Sequence, residues 1–422
     1  MNYLIKGGRV ICPKSGVDQI ADVLIKDGLI ASIAANMGVS EDVSIIEADG
    51  KLVMPGIVDI HTHLRTPGFE FKEDLKTGTE SALAGGITTA VCMPNTNPVL
   101  DNPEMLLQLK EKIEKEALVH VEIISAITKG LKGETLADLE ANAAAGAVGF
   151  SDDGRTTMND DYMVEAFKIA NKLGVPVLTH CEDHEKSELY KDRPAPPELE
   201  YVIVKRDIEL CESVGGRLHI CHISTKEGVE YVRVAKARGV RLTCEAAPHH
   251  FSISEEEIDS RDPYTKVNPP IRPQVHREAL IQAIKEGVVD VIATDHAPHD
   301  TASKEKTYAE AAFGITGFET SFALTYTHLV KAGHISLGKM VEMMATRPAE
   351  LLKLKAGTLE IGAVADVIIA DLDATYTIDP STFYSKGKNT PFAGKKVSGK
   401  VTHTFVKGDL KYKEGALCQS IN

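Results

Sequence analysis

Tryptophan is absent from the 422-residue chain and aromatics make up only 5% of it, in a composition (43% hydrophobic, 26% charged) otherwise ordinary for a soluble globular protein. Positive charge is short as well: 47 Lys and Arg stand against 61 Asp and Glu, a formal net charge of −14. That balance argues against a nucleic-acid partner or a membrane surface, so an anionic substrate has to be captured by a local positive site. No apolar run approaches the roughly 20 residues of a membrane span. Residues 1–8 lack the apolar stretch of a signal peptide, and a cytoplasmic location is expected. The seven cysteines are odd in number and scattered, with no Cys-X-X-Cys, which excludes a disulfide scaffold or zinc ribbon and suits reduced thiols. A Gly-X-Ser-X-Gly nucleophile elbow is missing too.

What is present is organised around residues 55–65, Pro-Gly-Ile-Val-Asp-Ile-His-Thr-His-Leu-Arg. Ile57, Val58 and Ile60 predict a short buried strand entered through Pro55 and Gly56. Alternation sends His61 and His63 to one face at its C-terminal end, with Asp59 one step earlier. Two imidazoles so placed suit a divalent metal, and Arg65 just beyond suits an anion.

Strand–helix alternation then sets the fold. Runs rich in Val, Ile or Thr predict eight strands at 57–63, 88–95, 121–127, 147–153, 176–183, 217–224, 241–249 and 288–294. Helical segments at 73–84, 103–116, 134–145, 160–173, 198–214, 226–237 and 276–285 separate most of them, with two more at 318–331 and 338–345. Eight such units indicate an α/β chain folded as a (β/α)₈ TIM barrel. Both ends read instead as short strands with Gly and Asp turns. The expected organisation is therefore a barrel at 55–354 and a small composite β-sandwich from 1–54 plus 355–422.

In such barrels chemistry sits at the C-terminal strand ends. There the sequence places His61 and His63, the Asp152-Asp153 pair, His180, His222 and Asp295. Any one of them alone reads as a core histidine, a helix cap or an ion-pair partner; together, four imidazoles and two carboxylates exceed what one catalytic zinc needs and suit two. Two ions about 3.5–4 Å apart lower the pKa of a shared water and polarise a carbonyl. The chemistry this suits is hydrolysis, or in reverse formation, of an amide-type C–N bond, with Asp295 as both ligand and catalytic acid–base group. Cys221 adjoins His222, and alternation turns it to the opposite face as a packing residue. The polar segment 300–312, with Lys304 and Lys306, is expected to be a mobile loop over the site.

The chain resembles the amidohydrolase superfamily, and more closely the class I dihydroorotases, over nearly its whole length. The marks are the 55–65 stretch, Met93-Pro94-Asn95-Thr96, Phe150-Ser151-Asp152-Asp153-Gly154, His180-Cys181-Glu182-Asp183, Cys221-His222-Ile223-Ser224-Thr225, Pro248-His249-His250, Val267-Asn268-Pro269-Pro270, Thr294-Asp295-His296-Ala297-Pro298-His299, Phe313-Gly314-Ile315-Thr316-Gly317 and the closing Pro391-Phe392-Ala393-Gly394. The resemblance implies two Zn2+ per subunit, His61, His63 and Asp295 on one and His180 and His222 on the other. Asp153 bridges them, with Asp152 the alternative. It also implies that Arg65, Asn95 and His299 hold a substrate carboxylate while Asn268 and the Phe313-Gly314 backbone contact the ring. Guanidinium suits a carboxylate as a planar fork.

The reaction implied is reversible cyclisation of N-carbamoyl-L-aspartate to L-dihydroorotate in pyrimidine (UMP) biosynthesis. A homodimer and an aspartate transcarbamoylase partner are expected with it. The rivals are a hydantoinase- or allantoinase-type cyclic amidase, whose family places a carboxylated lysine where Asp153 stands, and an inactive scaffold for the transcarbamoylase. No lysine lies near 150–154, and all six ligands are present. Thr66, Phe71 and Ala247 depart from the usual class I pattern without removing a ligand.

Overall fold

The structure, a computed structural model, describes residues 1–38 and 42–418. Eight strands follow one another round a parallel barrel: β1 (Ile57–Thr62), β2 (Ile87–Cys92), β3 (His120–Ser125), β4 (Gly149–Phe150), β5 (Val177–Thr179), β6 (Leu218–Ile220), β7 (Leu242–Ala246) and β8 (Val291–Ile292). The ring closes at its catalytic end. Thr62 bridges His296, and the His63 amide donates to the His296 carbonyl at 2.8 Å. Alternation gives the barrel two cores. Val58, Ile60, Val91, Ile124, Leu178 and Val291 fill the inside, while Ala90, Ile123, Phe150, Val177, Ile220 and Ala246 meet the helices outside.

The paired parts of the strands are shorter than the sequence runs; 147–153, for example, contributes only Gly149–Phe150 to the ladder. His61 stands near the end of β1, and His63, Asp153, His180, His222 and Asp295 follow within three residues of the last paired residue of their strands. Helices return the chain at α1 (Leu75–Gly85), α2 (Pro103–Glu116), α3 (Leu139–Ala144), α4 (Asp160–Leu173), α5 (Glu198–Val214), α6 (Lys226–Ala237), α7 (Gln274–Glu286) and α8 (Phe318–Thr325). Asp74, Asn102, Asp138, Asn159 and Thr225 cap five of them by accepting from a backbone amide in the first turn. The Asp138 cap explains why the helix expected from 134 begins only at 139. The two helices expected at 318–331 and 338–345 are broken by π turns at Tyr326–Val330 and Glu342–Thr346.

The expected β module from both ends is present, joined as one nine-stranded mixed sheet that encloses a core of Tyr3, Ile5, Val10, Val23, Val367 and Phe405. The strand Asn2–Cys12 pairs with Val43–Glu47 along its first half and with Leu52–Pro55 at residues 9–10, and its ladder with Val17–Lys26 shifts register between Ile5 and Gly8. Leu52–Pro55 also pairs antiparallel with residues 367–370 of Val367–Thr377. It then runs into β1 through Gly56, where a Cβ would collide with the Thr88 side chain. No helix among the described residues is long and apolar enough to cross a membrane.

Candidate active site

His61, His63, Asp153, His180, His222 and Asp295 converge at the C-terminal mouth of the barrel, and all six are buried. Asp153 is the hub. Its Oδ1 lies 3.3 Å from His61 Nε2, 3.7 Å from His222 Nε2 and 3.8 Å from His180 Nδ1, and its Oδ2 lies 3.4 Å from His63 Nε2. Asp295 Oδ1 stands 3.1 Å from His63 Nε2 and 3.7 Å from His61 Nε2. His180 Nδ1 and His222 Nε2 are 3.0 Å apart. The neighbouring Asp152 is otherwise employed: it accepts from the Ile127 and Thr128 amides and from the Thr128 and Thr157 hydroxyls at 2.6–2.9 Å.

Backbone geometry explains how adjacent strand ends deliver these groups. His222 and Asp295 take left-handed conformations (φ 32° and 51°), as does Arg65 (φ 59°). Such positions cost on the order of 1–3 kcal/mol each and persist where surrounding structure enforces them. The turn at His222 also overrides strand alternation. Cys221, expected on the far face, points into the barrel, where its sulfur lies within 4.8 Å of ligand atoms of His61 and Glu245. It remains a buried thiol whose pKa burial pushes up.

The donor set fits metal ions. His61 Nε2 and Asp153 Oδ1 are buried, face each other, and make no hydrogen bond among the described residues. Metal ligation is what such opposed lone-pair donors supply and a hydrogen bond does not. Three-residue groups within ligating reach include His61–Asp153–His222 and His61–His63–Asp295. Burial alone would raise the carboxyl pKa values, yet the histidines hold Asp153 well below the carboxylate range and Asp295 at about 2. Burial likewise opposes protonation of His61, but Asp153 and Glu245 carry it well above the ordinary imidazole value.

Behind this cluster lies a supporting layer, in which Glu245 is the acid that the sequence did not mark. Glu245, near the end of β7, places Oε1 2.5 Å from His61 Nδ1 and Oε2 2.9 Å from His219 Nε2. Glu182 sits 3.5 Å from His180 Nε2 and 2.9 Å from His184 Nδ1, and accepts from Asn268 Nδ2 at 2.9 Å. Asp59 accepts from the His61 and Thr294 amides, tying the first strand to the approach of Asp295. An acid within a β-run, such as Glu245, gives no signal of its own in sequence; only its pairing with a ligand histidine identifies it.

The expected anion end is also assembled. Arg65 Nη2 lies 3.1 Å from His299 Nε2, and Arg65 Nε donates to the Pro298 carbonyl at 3.2 Å. Burial pulls Arg65 down to about 10, which leaves it charged at neutral pH. Burial and the nearby Arg65 and Lys72 charges push His299 far below the imidazole range, so its ring is neutral. Asn95 Oδ1 is 2.9 Å from His63 Nδ1. Asn268 Nδ2 is 3.2 Å from His180 Nε2.

One expectation changes here. The Gly314 amide donates to the Lys266 carbonyl at 2.9 Å, and its carbonyl accepts from Lys304 Nζ at 2.7 Å and Asn389 Nδ2 at 2.9 Å. The Phe313 carbonyl meets His299 Nε2 at 2.7 Å. Those contacts brace the pocket wall at Phe313-Gly314. Lys304, expected in a mobile loop over the site, is 1% exposed and donates to the Lys266, Ala312 and Gly314 carbonyls. A cavity of about 620 Å³ opens over the site between Arg155, Glu182, Arg193, Asn268 and Phe313, a size suited to a small molecule.

The amidohydrolase family profile matches residues 52–411, most of the chain and all of the barrel. The chain belongs to the amidohydrolase family. Among relatives of this amidohydrolase, a dihydroorotase of Acetivibrio thermocellus is 42% identical over 425 residues, covering 98% of this chain and 100% of that protein. A dihydroorotase of Listeria innocua is 44% identical over 427 residues, covering 98% and 99%. Among solved structures, the L-hydantoinase (dihydropyrimidinase) of Arthrobacter aurescens superposes with a TM-score of 0.90 at 29% identity, covering 99% of this chain and 97% of that one.

Proposed function

We propose that this amidohydrolase is a dihydroorotase, interconverting N-carbamoyl-L-aspartate and L-dihydroorotate with two Zn2+ per subunit. The observation that carries the reading is identity of 42–44%, sustained over virtually the full chain, to proteins named dihydroorotase. Asp153 at the hub of the cluster supports it against the hydantoinase reading, whose family resemblance calls for a lysine there.

His61, His63 and Asp295 would hold one ion, His180 and His222 the other, with Asp153 between them. Bound zinc supplies water of lowered pKa and polarises the amide carbonyl. In the hydrolytic direction Asp295, ionised at neutral pH, takes the proton of the attacking water and hands it to the ring nitrogen as the C–N bond breaks. The reverse passage of the same proton serves cyclisation. Arg65 receives the substrate carboxylate beside His299 and so sets the ring against Asp295; Asn95 holds the His63 ring, and Asn268 the His180 ring.

The test is metal analysis joined to assays of carbamoyl aspartate cyclisation, hydantoin hydrolysis and allantoin hydrolysis. Zinc content with turnover of carbamoyl aspartate is expected; turnover only of the other two substrates defeats the reading. The same reading takes the protein as a cytoplasmic homodimer able to associate with aspartate transcarbamoylase, which sedimentation of the protein alone and mixed with that enzyme checks.

A further inference from the structure

We propose that Asn389 is a positioning residue that sets the carboxylate end of the substrate pocket. The proposal rests on the reading above, in which the substrate presents a carboxylate to Arg65 and His299. Asn389 is distant in sequence from every ligand. It lies in the segment joining Val367–Thr377 to Lys396–Val406, two strands of the terminal sheet, yet it reaches the barrel mouth and is 2% exposed.

There it acts as a clasp between two stretches of chain. Its Oδ1 accepts from the His299 amide at 3.1 Å. Its Nδ2 donates to the Gly314 carbonyl at 2.9 Å and lies 3.4 Å from the Ala297 carbonyl. Its own carbonyl accepts from the Thr316 amide at 2.8 Å and the Thr316 hydroxyl at 3.2 Å. The exit of β8 at 297–299 is thereby fastened to the chain returning at 314–316, on either side of the 300–312 excursion.

A carboxamide is the side chain this role requires. It offers an acceptor to one backbone and donors to another at the reach of a single side chain, as a peptide group does; a carboxylate has no donor and an alkyl group has neither. The clasp bears directly on recognition because both things it fixes line the anion end. One is the backbone of His299, whose ring contacts Arg65. The other is Gly314, at φ 128°, where even a Cβ would press on Ala297 and come within 3.2 Å of His299 Nε2. Lys304 grips the same Gly314 oxygen from within the excursion, so that carbonyl carries two buried donors. Displacements of about 1 Å among positioned groups cost up to roughly 100-fold, and a buried network of this kind holds its members well inside that limit.

The experiment uses the metal-loaded enzyme with Asn389→Ala and the isosteric Asn389→Asp. KM and kcat are measured for L-dihydroorotate, together with Kd for orotate, a planar carboxylated analogue, and bound metal. Loss of two neutral hydrogen bonds predicts that KM and the orotate Kd rise roughly tenfold, while kcat stays within about threefold and metal content is unchanged. Should Asn389→Ala fail to fold, Asn389→Asp carries the test: it keeps the acceptor for the His299 amide, loses the donors and sets a carboxylate oxygen against the Gly314 and Ala297 carbonyls. Unchanged KM and Kd overturn the proposal. So does a fall in kcat with loss of metal and no change in Kd, the pattern of a merely structural residue. If the unaltered enzyme neither turns over L-dihydroorotate nor binds orotate, the substrate reading has failed, and that is seen before any variant is made.

Discussion

Glu245 grips His61 from the side opposite Asp153: Oε1 lies 2.5 Å from Nδ1, while Nε2 points at the Asp153 carboxylate 3.3 Å away. Its other oxygen meets His219, whose far nitrogen lies 2.8 Å from the Thr243 hydroxyl. The imidazole is thus fixed in tautomer and in rotation before any ion arrives. Replacing Glu245 with Gln weakens this hold while conserving volume. Metal affinity is expected to fall about 10- to 100-fold, read by competition with a chromophoric chelator; an unchanged affinity removes Glu245 from this role.

Asp295 is held at about 2 against burial, chiefly by its contact with His63 and the charge of His61. An ionised carboxylate beside the reacting water acts as base first and acid second. Asp295→Asn is therefore expected to lower turnover on the order of 10²- to 10⁴-fold while much of the metal stays bound. Steady-state rates set beside metal analysis check it, and wild-type turnover would refute the proton transfer.

Arg65→Ala removes the guanidinium that faces His299. A charge-assisted hydrogen bond contributes about 1.5–3 kcal/mol, so KM for the carboxylated substrate is expected to rise roughly 10- to 100-fold, with metal occupancy retained. Arg65→Lys should restore little, because an ammonium lacks the planar fork. Equal KM values in all three proteins would place the carboxylate elsewhere.

His250 supplies a pH prediction for stability. Burial pushes its pKa down to about 4 against an ordinary 6.5, opposed only partly by its bond to the Pro269 carbonyl. Its Nδ1 has no partner among the described residues, so the protonated ring would bury an unpaired donor. Between pH 6.5 and 4 the unfolded chain gains a proton that the native protein refuses, and stability falls as pH falls through that window. Above pH 6.5 the effect vanishes, and below about 4 it is constant. His250→Gln keeps a donor for Pro269 and cannot titrate; it should flatten the fall by on the order of 2–3 kcal/mol. Denaturant midpoints of both proteins at pH 7.5, 5.5 and 4.5 read this directly, and parallel curves would exclude it.

The barrel was legible because its eight strands are spelled in β-branched residues and because ligand types recur where those runs stop. His61, His63, His180, His222 and Asp295 all follow from that rule. The Asp152-Asp153 pair could not be resolved by type; the threonines that satisfy Asp152 become its neighbours only in the folded chain. Cys221 was misassigned because strand periodicity says nothing of a left-handed turn one residue later. Lys304 and Asn389 were hidden for another reason. A lysine in a polar stretch and an asparagine before a Thr-Pro step read as surface and turn, and nothing local announces that three backbone carbonyls or a pocket wall await them.

The short strand Leu52–Pro55 has a consequence for how the protein comes into being. One of its flanks lies against residues 9–10 and the other against residues 367–370, and its next residues are β1. The two imidazoles at the end of β1 are therefore moored by both extremities of the polypeptide. During synthesis the first half of the metal cradle emerges early, yet the strand leading into it stays an open edge until the chain has grown past 370. A chain cut short there would keep most of its barrel sequence and lose the mooring of its first ligands.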